Sequence, residues 1–255
     1  MNITADTTLP TVVFDSNGGT LGINEGVILT VTNNITVNAG DKLSGLGTLY
    51  LGGNSSGIFA MNQEFKGTIL IGTGTAYIQT NASIGTIDFV GGNGGVLDVA
   101  DGKILTVGKI TTQGTNKITG NGTLNLTKEG SVFGAPIDNL GTLMVSGGTA
   151  DFYNNINIGT LAFNNGGWIR LNTGMTMNVT SMTQDGTGTI GYVYGNGSFV
   201  AGAGNVAFST GNQELASATI GTGVLNFVGD SYVGSLKYSS VNGTINISDG
   251  ITVTV

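Results

Sequence analysis

The sequence predicts an all-β protein built as a single-stranded parallel β-helix, a solenoid of short stacked coils. Three observations carry that prediction. Segments recur at a fixed period of about 75 residues, aliphatic residues alternate with small or polar ones inside each segment, and Gly- and Asn-containing turns separate the segments.

The period rests on independent anchors. Phe14, Phe89, Phe163 and Tyr238 stand in equivalent settings, evenly spaced along the chain to within one position. Gly47-Thr48-Leu49 returns at the same spacing as Gly122-Thr123-Leu124 and as Gly197-Ser198-Phe199. Asn62-Gln63-Glu64-Phe65 returns as Ile137-Asp138-Asn139-Leu140 and Asn212-Gln213-Glu214-Leu215. The chain therefore reads as one array over residues 1–255, with units near 7–81, 82–155 and 156–230 and a partial unit 231–255. A regular repeat lets each unit pack mainly on its neighbours.

Within a unit the first clear strand is Thr20-Leu21-Gly22-Ile23, aligned with Val96-Leu97-Asp98-Val99, Trp168-Ile169-Arg170-Leu171 and Thr244-Ile245-Asn246-Ile247. Its second and fourth columns are always aliphatic, and its first and third are free. A strand with one face in a core requires that alternation. Leu21, Ile23, Leu97, Val99, Ile169, Leu171, Ile245 and Ile247 are therefore expected to face inward. The next segments, 28–31, 104–107 and 251–255, are rich in β-branched residues and read as strands. Asn17-Gly18-Gly19, Asn93-Gly94-Gly95, Asn165-Gly166-Gly167 and Asn242-Gly243 supply residues that tolerate positive φ between strands. Gly-Thr-aliphatic motifs set a finer step of about 18–19 residues, seen from Gly67 to Gly85, from Gly122 to Gly141 and from Gly141 to Gly159. Four such coils per unit are expected. A propeller blade needs roughly twice that length.

Composition bounds the function. Gly makes up 46 of 255 residues, yet 39% are hydrophobic, enough regularly spaced aliphatics to offset the entropy of ordering the chain. The net charge is −7 with only eight Lys and Arg, which disfavours nucleic acid as a partner, since phosphate recognition needs clustered cations. Cysteine is absent, so disulfides and thiolate metal sites are excluded. No run of about 18 apolar residues exists to cross a membrane as a helix. Met1-Asn2-Ile3-Thr4 runs straight into patterned sequence, as expected of a chain freed of a leader or of a piece of a longer one.

Gly/Asn/Thr-rich, Cys-free coils with Gly-Thr-Leu-x-Leu phrases, as at Gly122-Thr123-Leu124-Asn125-Leu126, resemble the passenger domains of bacterial autotransporters. In style they are similar to the large rickettsial outer-membrane surface antigens. That resemblance implies a right-handed β-helix at the bacterial cell surface or secreted, acting as an adhesin, invasin or coat protein.

Catalytic patterns are weak. Gly229-Asp230-Ser231 looks like the setting of a serine nucleophile, but a serine triad takes its base from His and the chain has none. Lys237 is the one alternative base nearby, and a turn is the expected role. The stretch 91–99 brushes against a calcium nonapeptide, with Asp98 two places late, and Asp88, Asp98 and Asp101 do not recur at aligned positions. No catalytic residue, cofactor or metal is expected.

The third unit departs most from its copies. Trp168, the sole tryptophan, takes an outward column that holds Thr or Val elsewhere, with Arg170 beside it. Gly191-Tyr192-Val193-Tyr194-Gly195-Asn196-Gly197 carries an insertion relative to the other copies and brings two tyrosines. Exposed Trp, Tyr and Arg are enriched at binding hot spots. Trp168, Arg170, Tyr192 and Tyr194 are thus the candidate partner-binding patch, unless they merely cover a neighbouring coil and a bulge. The expected function is a non-catalytic surface β-helix making multivalent contacts with a host-cell protein or glycan, with end-to-end self-association through open strand edges. A carbohydrate-active β-helix such as a tailspike or lyase, or a purely structural spacer, is the alternative.

Overall fold

The computed structural model describes residues 1–14, 18–60, 64–184, 191–202, 204–208 and 214–255. Asn17, Asn62, Gln63, Asn212 and Gln213 lie outside them. Every regular element among the described residues is a strand, and the strands pair in parallel, as in Thr20–Ile23 against Lys42–Gly45 and Val96–Val99 against Thr75–Ile78. The residues gather into two compact units, Met1–Asn125 with Gly134–Pro136, and Leu126–Phe133 with Ile137–Val255. Each is a β-solenoid.

In the first unit one coil comprises three straight segments. Thr48–Leu51, Ser56–Phe59 and the start of Glu64–Ile71 follow one another around the coil. The first two stack on segments 28–31 and 34–37, the two halves of the bent strand Ile28–Val37. Register steps vary, from the short one that sets Thr68 beside Thr86 to the long one that sets Ala82 beside Leu105, around a ~20-residue spacing. The second unit spans a similar range, from Thr142 beside Thr160 to Gly167 beside Gly191.

The coil is thus slightly longer than the Gly-Thr motifs suggest, and one repeat period does not make four of them. From Thr20–Ile23 up to its aligned copy Val96–Val99 run eight strands, counting the first. Three of them (Ile28–Val37, Glu64–Ile71 and Ala82–Phe89) bend and supply two segments each. That is eleven segments, or three coils and two sides of a fourth. Aligned residues therefore occupy different sheets. Leu21 stands in a three-stranded sheet with Asn2–Ile3 and Lys42–Gly45, whereas Leu97 stands between Ala76 and Ile118. The in–out alternation survives because it belongs to each segment and not to a face.

Burial follows the alternation. Leu21, Ile23, Leu97, Val99, Ile169 and Leu171 are at most 2% exposed. Ile245 and Ile247 depart from expectation: Ile245 is half-buried and Ile247 is exposed. Their strand pairs with Val224–Phe227 on one side, and no described strand stacks on the other. Phe89 and Phe163 are buried, but Tyr238, the fourth aromatic anchor, is exposed. Aromatic stacks add to the aliphatic core of the second unit. Phe133 and Phe152 lie parallel with centroids 4.5 Å apart, and Phe208 sits 5.2 Å from Phe199 and 5.5 Å from Phe227. Such offset or tilted contacts suit ring quadrupoles.

The repeated Gly-x-Gly before Thr/Ser-Leu/Phe has a mechanical cause. Gly45, Gly120 and Gly195, each one repeat period from the last, have φ of 99°, 100° and 109°. A Cβ at each would also run into a carbonyl oxygen of the preceding coil, that of Ile23, Val99 or Leu171. Only glycine meets both demands. Among the expected turns, Gly18, Gly94, Asn165, Gly166 and Gly167 adopt positive φ.

Polar ladders form on the outer face. Asn157 donates to Asp138 at 3.0 Å and Asn178 donates to Asn157 at 2.6 Å, while Asn246 donates to Asn226 at 2.9 Å. These asparagines lie on strands.

Asp41 is a buried carboxylate that the sequence pattern did not single out. Its Oδ1 accepts the N–H groups of Gly18 and Gly19, both at 3.2 Å, and its Oδ2 accepts the Asn38 backbone N–H at 3.0 Å and Nδ2 at 3.1 Å. Asn116, one repeat period on, plays the equivalent role toward Gly95 and Gly91. Burial pushes the Asp41 carboxyl up, and the donors of Asn38, Gly19 and Gly18 together outweigh it, leaving the group below its ordinary 3.8. A folded-state value below the unfolded one means stabilisation that is complete above about pH 5 and is lost as pH falls through the folded value. The difference in melting temperature between wild type and Asp41→Asn is therefore expected to be constant from about pH 7 to about pH 5 and to shrink below 3.8. Thermal scans across that range check it, and a difference that persists unchanged into strong acid would oppose it.

Candidate functional site

The third-unit departures lie in the second compact unit. Strand Gly167–Leu171 packs between Thr149–Phe152 and the long strand Gly191–Ala201. Alternation turns Ile169 and Leu171 inward and leaves Trp168 and Arg170 outward, with Trp168 45% exposed. The pairing sets Trp168 beside Thr149 and Tyr192, and Arg170 beside Asp151 and Tyr194.

Two of the four candidate residues meet directly, and a third lies beside them. The rings of Trp168 and Tyr194 form an edge-to-face contact, with centroids 6.5 Å apart and planes at 85°. Arg170 Nη2 donates to Asp151 Oδ2 at 2.6 Å. That hydrogen bond, with the Asp151 charge behind it, holds the guanidinium above its ordinary value despite some desolvation. The Arg170 side chain is 41% exposed and that of Asp151 26%, so solvent reaches both and the pair contributes at most about 1 kcal/mol to stability. Tyr192 takes its register position beside Trp168, and its side chain lies outside the described ones. All four fall on adjacent strands of one face, with no corner between them. The run 167–170 against 191–194 is unbroken, and a register shift falls only further on, between Gly195 and Ser198, where the strand pairs with Glu214–Ile220.

Sequence reasoning missed Asp151, which is found only by counting one local coil back from Arg170. It also missed two exposed tyrosines, Tyr153 next to Phe152, and Tyr232 paired with Glu214.

The catalytic and metal patterns are engaged locally. Ser231 Oγ donates to the Gly229 carbonyl at 2.9 Å, a local bond of the kind turns make, and Asp230 Oδ1 accepts the N–H of Thr252 from the next coil at 2.8 Å. Asp98 Oδ2 accepts the Thr119 hydroxyl at 3.0 Å, and Asp88 Oδ1 accepts the Phe89 N–H. Among the described residues no group of three or more Asp or Glu converges as a metal site would require. No helix of the described chain is long and apolar enough to cross a membrane. No protein-family model matches this chain, and no curated protein sequence or solved structure matches it significantly.

Proposed function

We propose that this chain is a non-catalytic, cell-surface β-solenoid of the autotransporter-passenger type, which adheres to a host or neighbouring surface through repeated weak contacts. One observation carries the reading. Exposed Trp168 and half-buried Tyr194 form an aromatic pair beside the Arg170–Asp151 pair. Binding hot spots are enriched in Trp, Tyr and Arg, the types gathered here. The polar ladders along the outer face offer further weak contacts, which would add to this patch by avidity.

The test is cell adhesion by the purified chain displayed on beads. Trp168→Ala with Tyr194→Ala is expected to reduce adhesion at least about tenfold, because loss of a hot-spot contact is worth over about 1 kcal/mol. The melting temperature should stay within a few degrees, since surface truncations away from the core cost little. Lost stability with intact adhesion would return these residues to packing.

A further inference from the structure

We infer that this face of the second unit binds a neutral oligosaccharide, held by Trp168, Tyr194 and the Arg170–Asp151 pair and extended into the hollow beside Tyr232. The inference rests on the adhesive reading for the choice of face and adds the chemistry of the ligand.

The polar part of the site argues for a neutral partner. Asp151 neutralises Arg170 in place, so the two together present N–H donors and carboxylate acceptors side by side without net charge. Sugar hydroxyls both donate and accept, and such an array satisfies them in adjacent positions. An anionic ligand would have to displace Asp151 from Arg170 and approach a chain of net charge −7.

The aromatic part argues for a ring with an apolar face. Trp168 is propped edge-on by Tyr194 and leaves 45% of its surface open. The C–H face of a pyranose covers such a ring and removes apolar area from water, while its rim of hydroxyls reaches the Arg–Asp pair.

The extent argues for more than one sugar. Gly195, next to Tyr194, is paired with Leu215, and Leu215 with Val233 beside Tyr232. Arg170, Tyr194, Leu215 and Tyr232 therefore belong to four successive strands, about 14 Å from first to last at the usual inter-strand spacing. Between the last three lies a hollow of ≈ 390 Å³ lined by Gly195, Asn196, Leu215, Ala216, Tyr232 and Gly234. Small residues at 195, 216 and 234 open it, and Asn196 and Tyr232 offer hydrogen bonds at its rim. An extended peptide is the poorer fit. Strand Gly167–Leu171 is already paired on both sides, so no open edge is left there for an added strand.

The sole tryptophan lies in the site, so its emission reports binding directly. The purified full chain is titrated with maltotetraose, chitotetraose and N-acetyllactosamine, and with 3′-sialyllactose as the anionic counterpart. At least one neutral sugar is expected to give a saturable change in Trp168 emission. Calorimetry should show that Tyr194→Ala weakens this binding at least about tenfold, and that Tyr194→Phe retains it. Asp151→Asn, which frees the charge of Arg170, should shift preference toward 3′-sialyllactose. Absence of any saturable response to the neutral sugars, or undiminished affinity in a folded Tyr194→Ala variant, overturns the inference. So does tighter binding of 3′-sialyllactose than of any neutral sugar by the wild type. Adhesion that survives enzymatic removal of cell-surface glycans overturns the saccharide and leaves the adhesive reading standing. A saturable titration without adhesion to any cell does the reverse.

Discussion

Leu97→Asp is expected to lower the stability of the chain by more than about 4 kcal/mol, the range reserved for buried unpaired charge and large core defects. Leu97 is fully buried in the first unit, with Ala76 and Ile118 beside it on the neighbouring strands. The substitution removes the burial of a leucine side chain, about 1.5–3 kcal/mol, and leaves a cavity. It then places a carboxyl beside Ala76 and Ile118 in the buried stack, which costs several kcal/mol whether the group ionises or is forced to protonate. Leu97→Ala separates the two effects, because it makes the cavity without the carboxyl and should cost about 2–5 kcal/mol. Denaturant unfolding of the three proteins gives the comparison. An Asp variant no less stable than the Ala variant would mean that the stack at this position is open to water.

Gly120→Ala is the second large effect, at about 2–6 kcal/mol from two sources, backbone strain and overpacking. Gly120 holds φ at 100°, a conformation costing an L-residue about 1–3 kcal/mol. A Cβ there also meets the Val99 carbonyl and the Val99 backbone around it, which cannot swing aside as a side chain could. Relieving such overpacking costs about another 1–3 kcal/mol. Gly102 supplies the control. Its φ is 66°, but nothing lies within 4 Å of a Cβ there, so Gly102→Ala carries the dihedral cost alone, about 1–2 kcal/mol. Thermal unfolding should rank the two variants accordingly. Equal losses would show that the close approach of successive coils is not what retains glycine at positions 45, 120 and 195.

The candidate site was partly legible beforehand. Trp168 and Arg170 stood out because an alternating strand assigns them outward columns, and the structure places both there. That Trp168 and Tyr194 touch could not be read, because it depends on the local step from Gly167 to Gly191, which is longer than its neighbours. Asp151 was within reach of the sequence: it lies one 19-residue step before Arg170, inside the spacing that the Gly-Thr motifs set, and counting back one coil finds it.

Period, alternation and turn chemistry by themselves determined that the chain forms short strands with one inward face and that the same kinds of residue fill it. Each of those properties is local: a short segment carries its own alternation, and an Asn-Gly or Gly-x-Gly carries its own backbone preference. Tertiary structure alone decided which side of the coil each segment occupies. Corner loops vary in length, so a repeat of eleven segments closes three coils and two sides of the next, and Leu21 and Leu97 reach the core from different sheets. It also decided that Ile245 and Ile247, aliphatic like their copies, stay partly in solvent. Among the described residues their strand is stacked on one side alone, and a repeat pattern records the residue without recording its neighbour.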